Sequence, residues 1–439
     1  MLIRGAEIWP GPKVRMDLRC NGGIITAMAE RLEVVAGEAV VEANGCALLP
    51  GLCDHHLHLL ALAAAESSVV CGPPQVTTLA ELSDALRKNN ETGWLRGIGY
   101  HESVAGELGK EQLDRILPDR PLRIQHRTGQ LWIFNSKAME ELQLQEDRLY
   151  RGDEWLRERL GSCAMPALAA ISRTLARYGV TAITDASPGN NAESLSHFCR
   201  AVESGDLLQR VQLLGGVDLP ESGHSRISTG GVKLLLDEAR LPEFDRFVTL
   251  IANAHRAQRP VAIHAVTRTE LVFALSALRE AGPMVGDRIE HASITPDELL
   301  PQMRELGVIV VTQPGFVLER GDQYLRDVEL ADQPFLYRLR AFLETGIALR
   351  GSSDAPYGNP DPWRAISAAV NRKTATGKLL GEREQLTPEE ALALFLVKPG
   401  ITVGDSADLC LLNRPWESAR TRLVSEDVAA TFIAGRVVP

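Results

Sequence analysis

The middle of the chain alternates short apolar runs with segments that have a helical pattern. Apolar runs separated by helices are typical of parallel strands that are buried on both faces. Eight such runs, in a chain of 439 residues, predict an α/β fold built on a closed (β/α)8 TIM barrel. The predicted strands are 47–53, 180–185, 211–215, 232–236, 261–264, 288–291, 308–313 and 347–354.

Short strand-like pieces broken by turn residues occupy both ends of the chain. They predict one small β-sandwich domain that residues 1–48 and 399–439 build together. The barrel domain is then expected at residues 49–398. An insertion into this domain is expected at about 66–160.

Composition disfavours several classes of partner. The net charge of −10 makes nucleic acid or an anionic membrane a poor partner. The most apolar stretch, 57–65, is too short to cross a bilayer. Seven cysteines without a CxxC pair, and an N-terminus without a signal-peptide pattern, predict a cytoplasmic location. We therefore expect a small-molecule substrate, no nucleic acid and no membrane, and a homodimer is compatible with the sequence.

Polar residues stand at the carboxyl ends of several predicted strands, where barrels of this kind carry their chemistry. Each has a simpler interpretation when it is taken alone. A histidine there is often hydrogen-bonded in the core, a lysine can lie on a solvated rim, and an aspartate can cap the next helix. Six such residues at one rim of the barrel are harder to explain by chance than any one of them. These residues are His56, His58, Lys233, His264, His291 and Asp354.

Their side chains suit a catalytic metal site. Imidazoles and carboxylates bind Zn²⁺ or a similar ion, which lowers the pKa of a bound water to about 7. Asp354 could bind metal, accept the proton of the attacking water and deliver it to a leaving amine. A neutral His291 or His264 could hold a second ion or polarise a carbonyl. Carbamylated Lys233 could bridge two ions, whereas a free amine would leave one ion and could contact substrate.

The order HxH, Lys, His, His, Asp on successive strands resembles the amidohydrolase superfamily. Further matching motifs are LLPGLCDHHLHL, YGVTAITDAS, GVKLLL, RIEHAS and GSSDAP, and the resemblance covers nearly the whole chain. The segments WLRGIGYHES and RPLRIQHRTGQLWIFNSKAM resemble the YtcJ-like branch, which includes N-substituted formamide deformylases. The resemblance implies a metal-dependent barrel with a β-sandwich from both termini. It also implies one or two divalent ions, with zinc expected, and Asp354 and His291 as catalytic residues.

By position, the resemblance implies that the metal ligands are His56, His58, Lys233, His264, His291 and Asp354. The chain departs from the branch at Gln130, where histidine is frequent, and at Thr267-Arg268, where Gly-Asp is frequent. Deaminases of the superfamily usually carry a glutamate shortly after the histidine of the fifth strand. Here Glu270 stands six residues after His264, which disfavours a deaminase.

Four residues are weaker candidates for substrate contact: Glu102, Arg127, Gln313 and Tyr357. Arg127 follows a strand and could clamp a carboxylate, although an ordinary ion pair explains it equally well. Gln313 could bind substrate or cap the turn after its strand. Asp54 shares the face of the histidines and could orient one of them, and Cys53 should be buried in the barrel wall.

Three functions remain open on the sequence. The first is hydrolysis of an amide, formamide or cyclic amide, that is, of a carbon–nitrogen bond other than a peptide bond. The second is deamination of an aminated ring on the same scaffold. The third is a non-catalytic binding protein, which we disfavour because all six expected ligand positions are occupied.

Overall fold

The computed structural model describes residues 1–11, 14–73, 75–89, 92–160 and 165–438. The chain folds into two compact units. The first contains Met1–His58 and Ala169–Pro439, and the second contains Leu59–Leu168. This division into compact units does not test the predicted domain boundaries, which stay predictions.

The strands of the described residues form three sheets. In chain order they are β1 Leu2–Ile8, β2 Arg15–Asn21, β3 Ile24–Ala29, β4 Val40–Glu42, β5 Ala47–Pro50, β6 Leu52–Leu57, β7 Val69–Val70, β8 Leu95–Tyr100, β9 Leu122–His126, β10 Leu131–Phe134, β11 Arg148–Tyr150, β12 Val180–Asp185, β13 Arg210–Gly215, β14 Ile227–Leu235, β15 Val261–Ala265, β16 Arg288–His291, β17 Ile309–Thr312, β18 Ala348–Gly351, β19 Leu409–Leu412, β20 Val428–Ile433 and β21 Arg436–Val438.

The described α-helices are mostly short, and none of them is long and apolar enough to cross a membrane. In chain order they are α1 Leu59–Glu66, α2 Leu79–Lys88, α3 Glu102–Ala105, α4 Lys110–Ile116, α5 Ser136–Leu142, α6 Asp153–Arg159, α7 Ala169–Arg177, α8 Ala192–Ser204, α9 Phe244–Arg256, α10 Arg268–Ala281, α11 Leu300–Leu306, α12 Gly315–Asp327, α13 Leu339–Thr345, α14 Pro362–Asn371, α15 Pro388–Ala393 and α16 Trp416–Ala419.

Both ends of the chain contribute to one mixed sheet of the first unit. Its strand order is β21-β20-β19-β5-β1-β2-β3, and β4 pairs with β1. The strand β5 joins the two ends, because it runs parallel to β1 and antiparallel to β19. Buried side chains from both ends pack together, among them Ile3, Leu48, Leu411 and Phe432. The prediction of β structure built from both termini is confirmed.

The second sheet of this unit is the barrel. Its eight parallel strands follow the order β18-β17-β16-β15-β14-β13-β12-β6. The first and last strands meet at their carboxyl ends, where Asp354 N donates to His56 O and His58 N donates to Ala355 O, both at 2.8 Å. The predicted α/β barrel is therefore confirmed, although no α-helix connects β13 to β14.

The predicted first barrel strand, 47–53, is wrong in its bounds. The apolar run is divided between two sheets: β5 belongs to the terminal sheet, and β6 begins the barrel. Pro50 lacks an N–H for a continuous ladder, and Gly51 passes so close to Thr181 that only a glycine fits. The predicted eighth strand, 347–354, is also shorter in the structure, so Asp354 lies in the loop that follows β18.

The second unit has its own five-stranded sheet, in the order β11-β10-β9-β8-β7. The strands β7, β8 and β9 pair in parallel. The strand β10 is antiparallel to β9, and β11 is antiparallel to β10. Its core contains Leu82, Leu95, Leu113 and Ile124, which are all buried. The helix α2 begins with the capping box between Thr78 and Glu81.

Gly51→Ala should destabilise the first unit. An added Cβ at this position would lie 2.1 Å from Thr181 Oγ1, and Thr181 is fully buried. We expect the free energy of unfolding to fall by about 1–3 kcal/mol, measured by chemical denaturation. Gly223→Ala is the matched control, because its Cβ would meet no atom within 4 Å. Equal stability of the two variants would contradict the close approach.

Candidate metal centre

Three side chains converge where the first and last barrel strands meet. His56 lies in β6, His58 follows it, and Asp354 follows β18. Asp354 Oδ1 lies 3.4 Å from His56 Nε2 and 3.3 Å from His58 Nε2. Possible ligand atoms of these three residues all lie within 4.8 Å of one another. This spacing suits a single cation held by nitrogen and oxygen donors.

A second group of side chains extends this cluster along the rim. The ring of His291 lies 5.0 Å from that of His56 and 4.5 Å from that of His264, measured between centroids. The neighbouring strand β14 carries Lys233, which is buried and 6% exposed. Its Nζ has no hydrogen-bond partner among the described residues. The six residues expected from the sequence therefore occupy one region of the barrel.

Unusual backbone conformations place two of these side chains. His291 has φ = 72°, Ala292 has φ = 45° and Asp354 has φ = 58°, all in the left-handed region. Residues other than glycine rarely adopt this region, and each instance costs about 1–3 kcal/mol. The turns aim His291 and Asp354 toward the cluster just as their strands end. Strain of this kind is concentrated at functional sites.

Hydrogen bonds at Nδ1 orient three of the imidazoles. His58 Nδ1 lies 3.1 Å from Ser187 Oγ, and His291 Nδ1 lies 2.9 Å from Gln313 Oε1. His56 Nδ1 contacts the carboxylate of Glu290. With Nδ1 engaged, the Nε2 atoms of His56 and His58 are left to face Asp354. Such outer contacts fix the orientation and the tautomer of metal-binding histidines.

Burial keeps the imidazoles of His56, His264 and His291 neutral. Burial lowers the pKa of His56 to about 3 and also lowers the pKa of His291. Burial, reinforced by neighbouring His291 and Lys233, places the pKa of His264 well below its ordinary value. Neutral rings offer the lone pairs that a metal ion requires.

Asp354 and Lys233 have the complementary charge states. Burial alone would raise the pKa of Asp354, but the hydrogen bond from His58 and the nearby His291 and His56 outweigh it. The pKa of this carboxyl group is therefore lowered, and the group is ionised at neutral pH. Burial lowers the pKa of Lys233 to about 8. The neutral amine, which carbamylation requires, is therefore more populated at neutral pH than it is for a lysine in water.

Asp54 joins the two strands that carry the cluster. Its Oδ1 accepts hydrogen bonds from His56 N and Ser353 N, each at 3.1 Å, and its Oδ2 contacts Ser353 Oγ. Asp54 therefore holds the backbone of His56 and of the loop before Asp354. The sequence predicted that it orients a histidine, and the structure shows contacts with main-chain atoms.

Two candidates for substrate contact lie near the cluster. Gln313 is fully buried, and its amide contacts His291 Nδ1 and donates to Ser352 Oγ at 3.0 Å. Its contacts are those of a residue that orients His291, and its role in substrate binding stays a prediction. The ring of Tyr357 lies 5.5 Å from that of His58, between centroids.

The other two candidates lie in the second unit. The Glu102 carboxylate is 3.1 Å from His126 Nε2 and 3.8 Å from His101 Nε2. Arg127 N donates to Tyr100 O at 2.9 Å. Their roles as substrate contacts also stay predictions.

Sequence reasoning missed Glu290, Ser187 and Ser353. Glu290 offered the best signal, since a carboxylate inside the predicted barrel strand RIEH needs a buried partner. Ser187 contacts His58 and Ser353 contacts Asp54. Both serines lie in the matching motifs YGVTAITDAS and GSSDAP, but these motifs do not indicate which side chains the serines contact.

Comparisons with known proteins identify the relatives of this chain. A family model described as "Amidohydrolase family" matches residues 39–439. The chain is 24% identical to the N-substituted formamide deformylase of Arthrobacter pascens, over 94% of this chain and 93% of that protein. The same identity and coverage relate it to the protein YtcJ of Bacillus subtilis (strain 168). A metal-dependent hydrolase from Pyrococcus furiosus, titled uncharacterized, has a similar fold: the TM-score is 0.75, with 22% identity over 94% of this chain and 98% of that one. The resemblance inferred from the motifs is confirmed.

Ser353→Ala should loosen the junction between β6 and the loop after β18. The buried hydroxyl contacts Asp54 Oδ2 and accepts a hydrogen bond from Ala355 N at 3.0 Å. Loss of both contacts should lower the free energy of unfolding by about 1–3 kcal/mol, measured by chemical denaturation. Ser276→Ala serves as the control, because its hydroxyl contacts only Val272 O on an exposed helix face. The junction is less important than we infer if both variants are equally stable.

Proposed function

The chain belongs to the amidohydrolase family, and we propose that it hydrolyses a carbon–nitrogen bond in an amide, formamide or cyclic amide with the help of bound metal. The observation that carries the proposal is the convergence of His56, His58 and Asp354 within 4.8 Å. The buried amine of Lys233, which has no hydrogen-bond partner among the described residues, supports it, because a bound ligand or a modification would satisfy that group.

The donor set fits one or two divalent cations, and we propose Zn²⁺. His56, His58 and Asp354 would hold the first ion. His264 and His291 would hold a second, with Lys233 as a bridging carbamate. When bound, such an ion lowers the pKa of water and polarises the carbonyl of the substrate. Imidazoles and carboxylates are suitable ligands for zinc, although the same set also accepts related ions.

We assign proton transfer to Asp354. Its carboxylate is ionised and 7% exposed, so it can accept the proton of the attacking water. The same carboxyl group can then donate that proton to the leaving nitrogen. His291 is the second catalytic candidate, because Gln313 holds its ring in a fixed orientation beside His56 and His264.

The substrate class is part of the proposal. One relative is named N-substituted formamide deformylase, so N-substituted formamides are the first compounds to test. The expected contacts of Glu102, Arg127, Gln313 and Tyr357 with a small-molecule substrate stay predictions. We also propose that the protein acts on neither nucleic acid nor a membrane and that it resides in the cytoplasm, and a homodimer is compatible with the sequence. The six described cysteines are free, which is compatible with that location.

The structure disfavours a deaminase further. Glu270, the carboxylate nearest to the expected deaminase position, caps α10 together with Thr267. Its Oε1 accepts a hydrogen bond from Glu238 N at 2.9 Å, and its Oε2 accepts from Val266 N at 2.7 Å. Since both oxygens are engaged with main-chain N–H groups, we assign Glu270 a structural role. The activity assay described next tests the third function, a non-catalytic binding protein.

Purified protein loaded with zinc should release an amine and formate or another acid from a panel of N-substituted formamides, amides and cyclic amides. Asp354→Asn should lower kcat/KM by about 100-fold or more, because the amide cannot accept the proton. Asp327→Asn, an exposed substitution on α12, is the control and should retain activity. Release of ammonia from aminated rings instead would favour the deaminase. Inactivity on both sets in metal-loaded protein would favour the binding protein.

Lys233→Ala tests the bridging carbamate. Wild-type protein prepared without chelators, with bicarbonate present, should contain about two zinc ions per chain, and the variant should contain one ion or none. Elemental analysis gives the stoichiometry. Lys373→Ala, an exposed lysine in the same unit, should bind as much metal as the wild type. Unchanged metal content in Lys233→Ala would rule out the bridge.

A further inference from the structure

Glu290 is a carboxylate inside the barrel that the assigned chemistry does not use. It lies in β16 directly before His291 and is 0% exposed. Its Oε2 contacts Nδ1 of His56 in β6. The strands β6 and β16 are not neighbours in the sheet, since β17 and β18 lie between them where the barrel closes. The contact therefore crosses the interior of the barrel.

Arg288 holds this carboxylate in place. Its Nε donates to Glu290 Oε1 at 2.7 Å, and its Nη2 lies 3.1 Å from Glu290 Oε2. The same Nη2 donates to His55 O at 2.8 Å. Arg288 thus forms hydrogen bonds with both oxygens of Glu290 and with the backbone of the strand that carries His56. A bidentate guanidinium contact of this kind is strong and fixes the plane of the carboxylate.

The partner of His56 differs in charge from the partners of the other two oriented rings. His58 Nδ1 faces the hydroxyl of Ser187, and His291 Nδ1 faces the amide of Gln313. Both of those partners are neutral. An ionised carboxylate only accepts hydrogen bonds, so it requires the proton of His56 at Nδ1 and leaves Nε2 as a lone pair. That Nε2 is the atom that lies 3.4 Å from Asp354 Oδ1.

We propose that Glu290 is a positioning residue which, held by Arg288, fixes the tautomer of His56 and strengthens its Nε2 as a metal ligand. The inference rests on the proposed metal centre and adds a determinant of its affinity. A carboxylate partner raises the electron density of the imidazole more than a neutral partner does. His56 is then the strongest imidazole donor of the three oriented rings, and Glu290 links its strand to the strand of His291.

The test compares metal affinity in the wild type and in Glu290→Gln. The amide keeps the shape of the side chain but presents an N–H₂ group to either His56 or Arg288, both of which donate in the native arrangement. We expect the dissociation constant for Zn²⁺, measured by competition with a chromogenic chelator at constant pH, to rise by about 10- to 100-fold.

Glu384→Gln is the matched control. Glu384 is also buried, its Oε1 lies 2.6 Å from Arg338 Nε, and its Oε2 accepts from Ala341 N at 3.0 Å. This variant also loses a buried carboxylate that an arginine holds, but it lies outside the metal centre. We expect lower stability with unchanged zinc affinity. An equal loss of affinity in both variants would show a general structural effect and overturn the assignment of Glu290.

The outcomes separate this inference from the proposed function. If the wild type binds zinc and folded Glu290→Gln binds it equally well, the inference is wrong and the metal centre stands. If the wild type does not bind zinc, the proposed function itself fails.

A second measurement does not require Glu290→Gln to fold. The ¹⁵N NMR spectrum of histidine-labelled wild type, with the signal of His56 identified by its loss in His56→Gln, reports which ring nitrogen carries the proton. We expect a proton on Nδ1 and none on Nε2 in the zinc-loaded protein. A proton on Nε2 would overturn the proposal.

Discussion

The candidate metal centre depends on the closure of the barrel between β6 and the segment that follows β18. Two backbone hydrogen bonds connect these segments, and the carboxylate of Asp54 adds contacts to His56 N and Ser353 N. This junction places Asp354 beside two imidazoles that are almost 300 residues away in the sequence. Without it, the left-handed backbone conformation of Asp354 would lose the compensating hydrogen bond from Asp354 N to His56 O.

Charge balance is the second constraint on this interior. Asp354 and Glu290 bring negative charge into a region from which water is largely excluded, and Arg288 and Lys233 bring positive charge. Arg288 is committed to Glu290, so Lys233 is the adjustable group. Its amine is buried without a hydrogen-bond partner among the described residues. A carbamate at Lys233 would change the charge of that side chain from +1 to −1, and one bound divalent cation would offset this change.

The sequence predicted the barrel well because its strands are buried on both faces and therefore read as apolar runs. The ends of the strands could also be predicted, since His264 follows an apolar run and His291 ends its strand. The same reasoning misplaced the first strand, because hydrophobicity does not distinguish a run that serves two sheets across Pro50 and Gly51. Glu290 was overlooked since its partner, His56, is far away in sequence, and periodicity carries no information about contacts across the barrel.

The two departures from the branch pattern illustrate why substrate choice is harder to read than chemistry. Thr267 caps α10 through its hydroxyl, and Arg268 forms an ion pair with Asp332 at 2.5 Å. The contacts of both residues are therefore structural ones. Gln130 lies in the second unit, outside the barrel. A ligand set at strand ends constrains the reaction, because few residue types bind and activate a metal. The loops that meet the substrate tolerate many sequences, and the same barrel therefore serves different substrates.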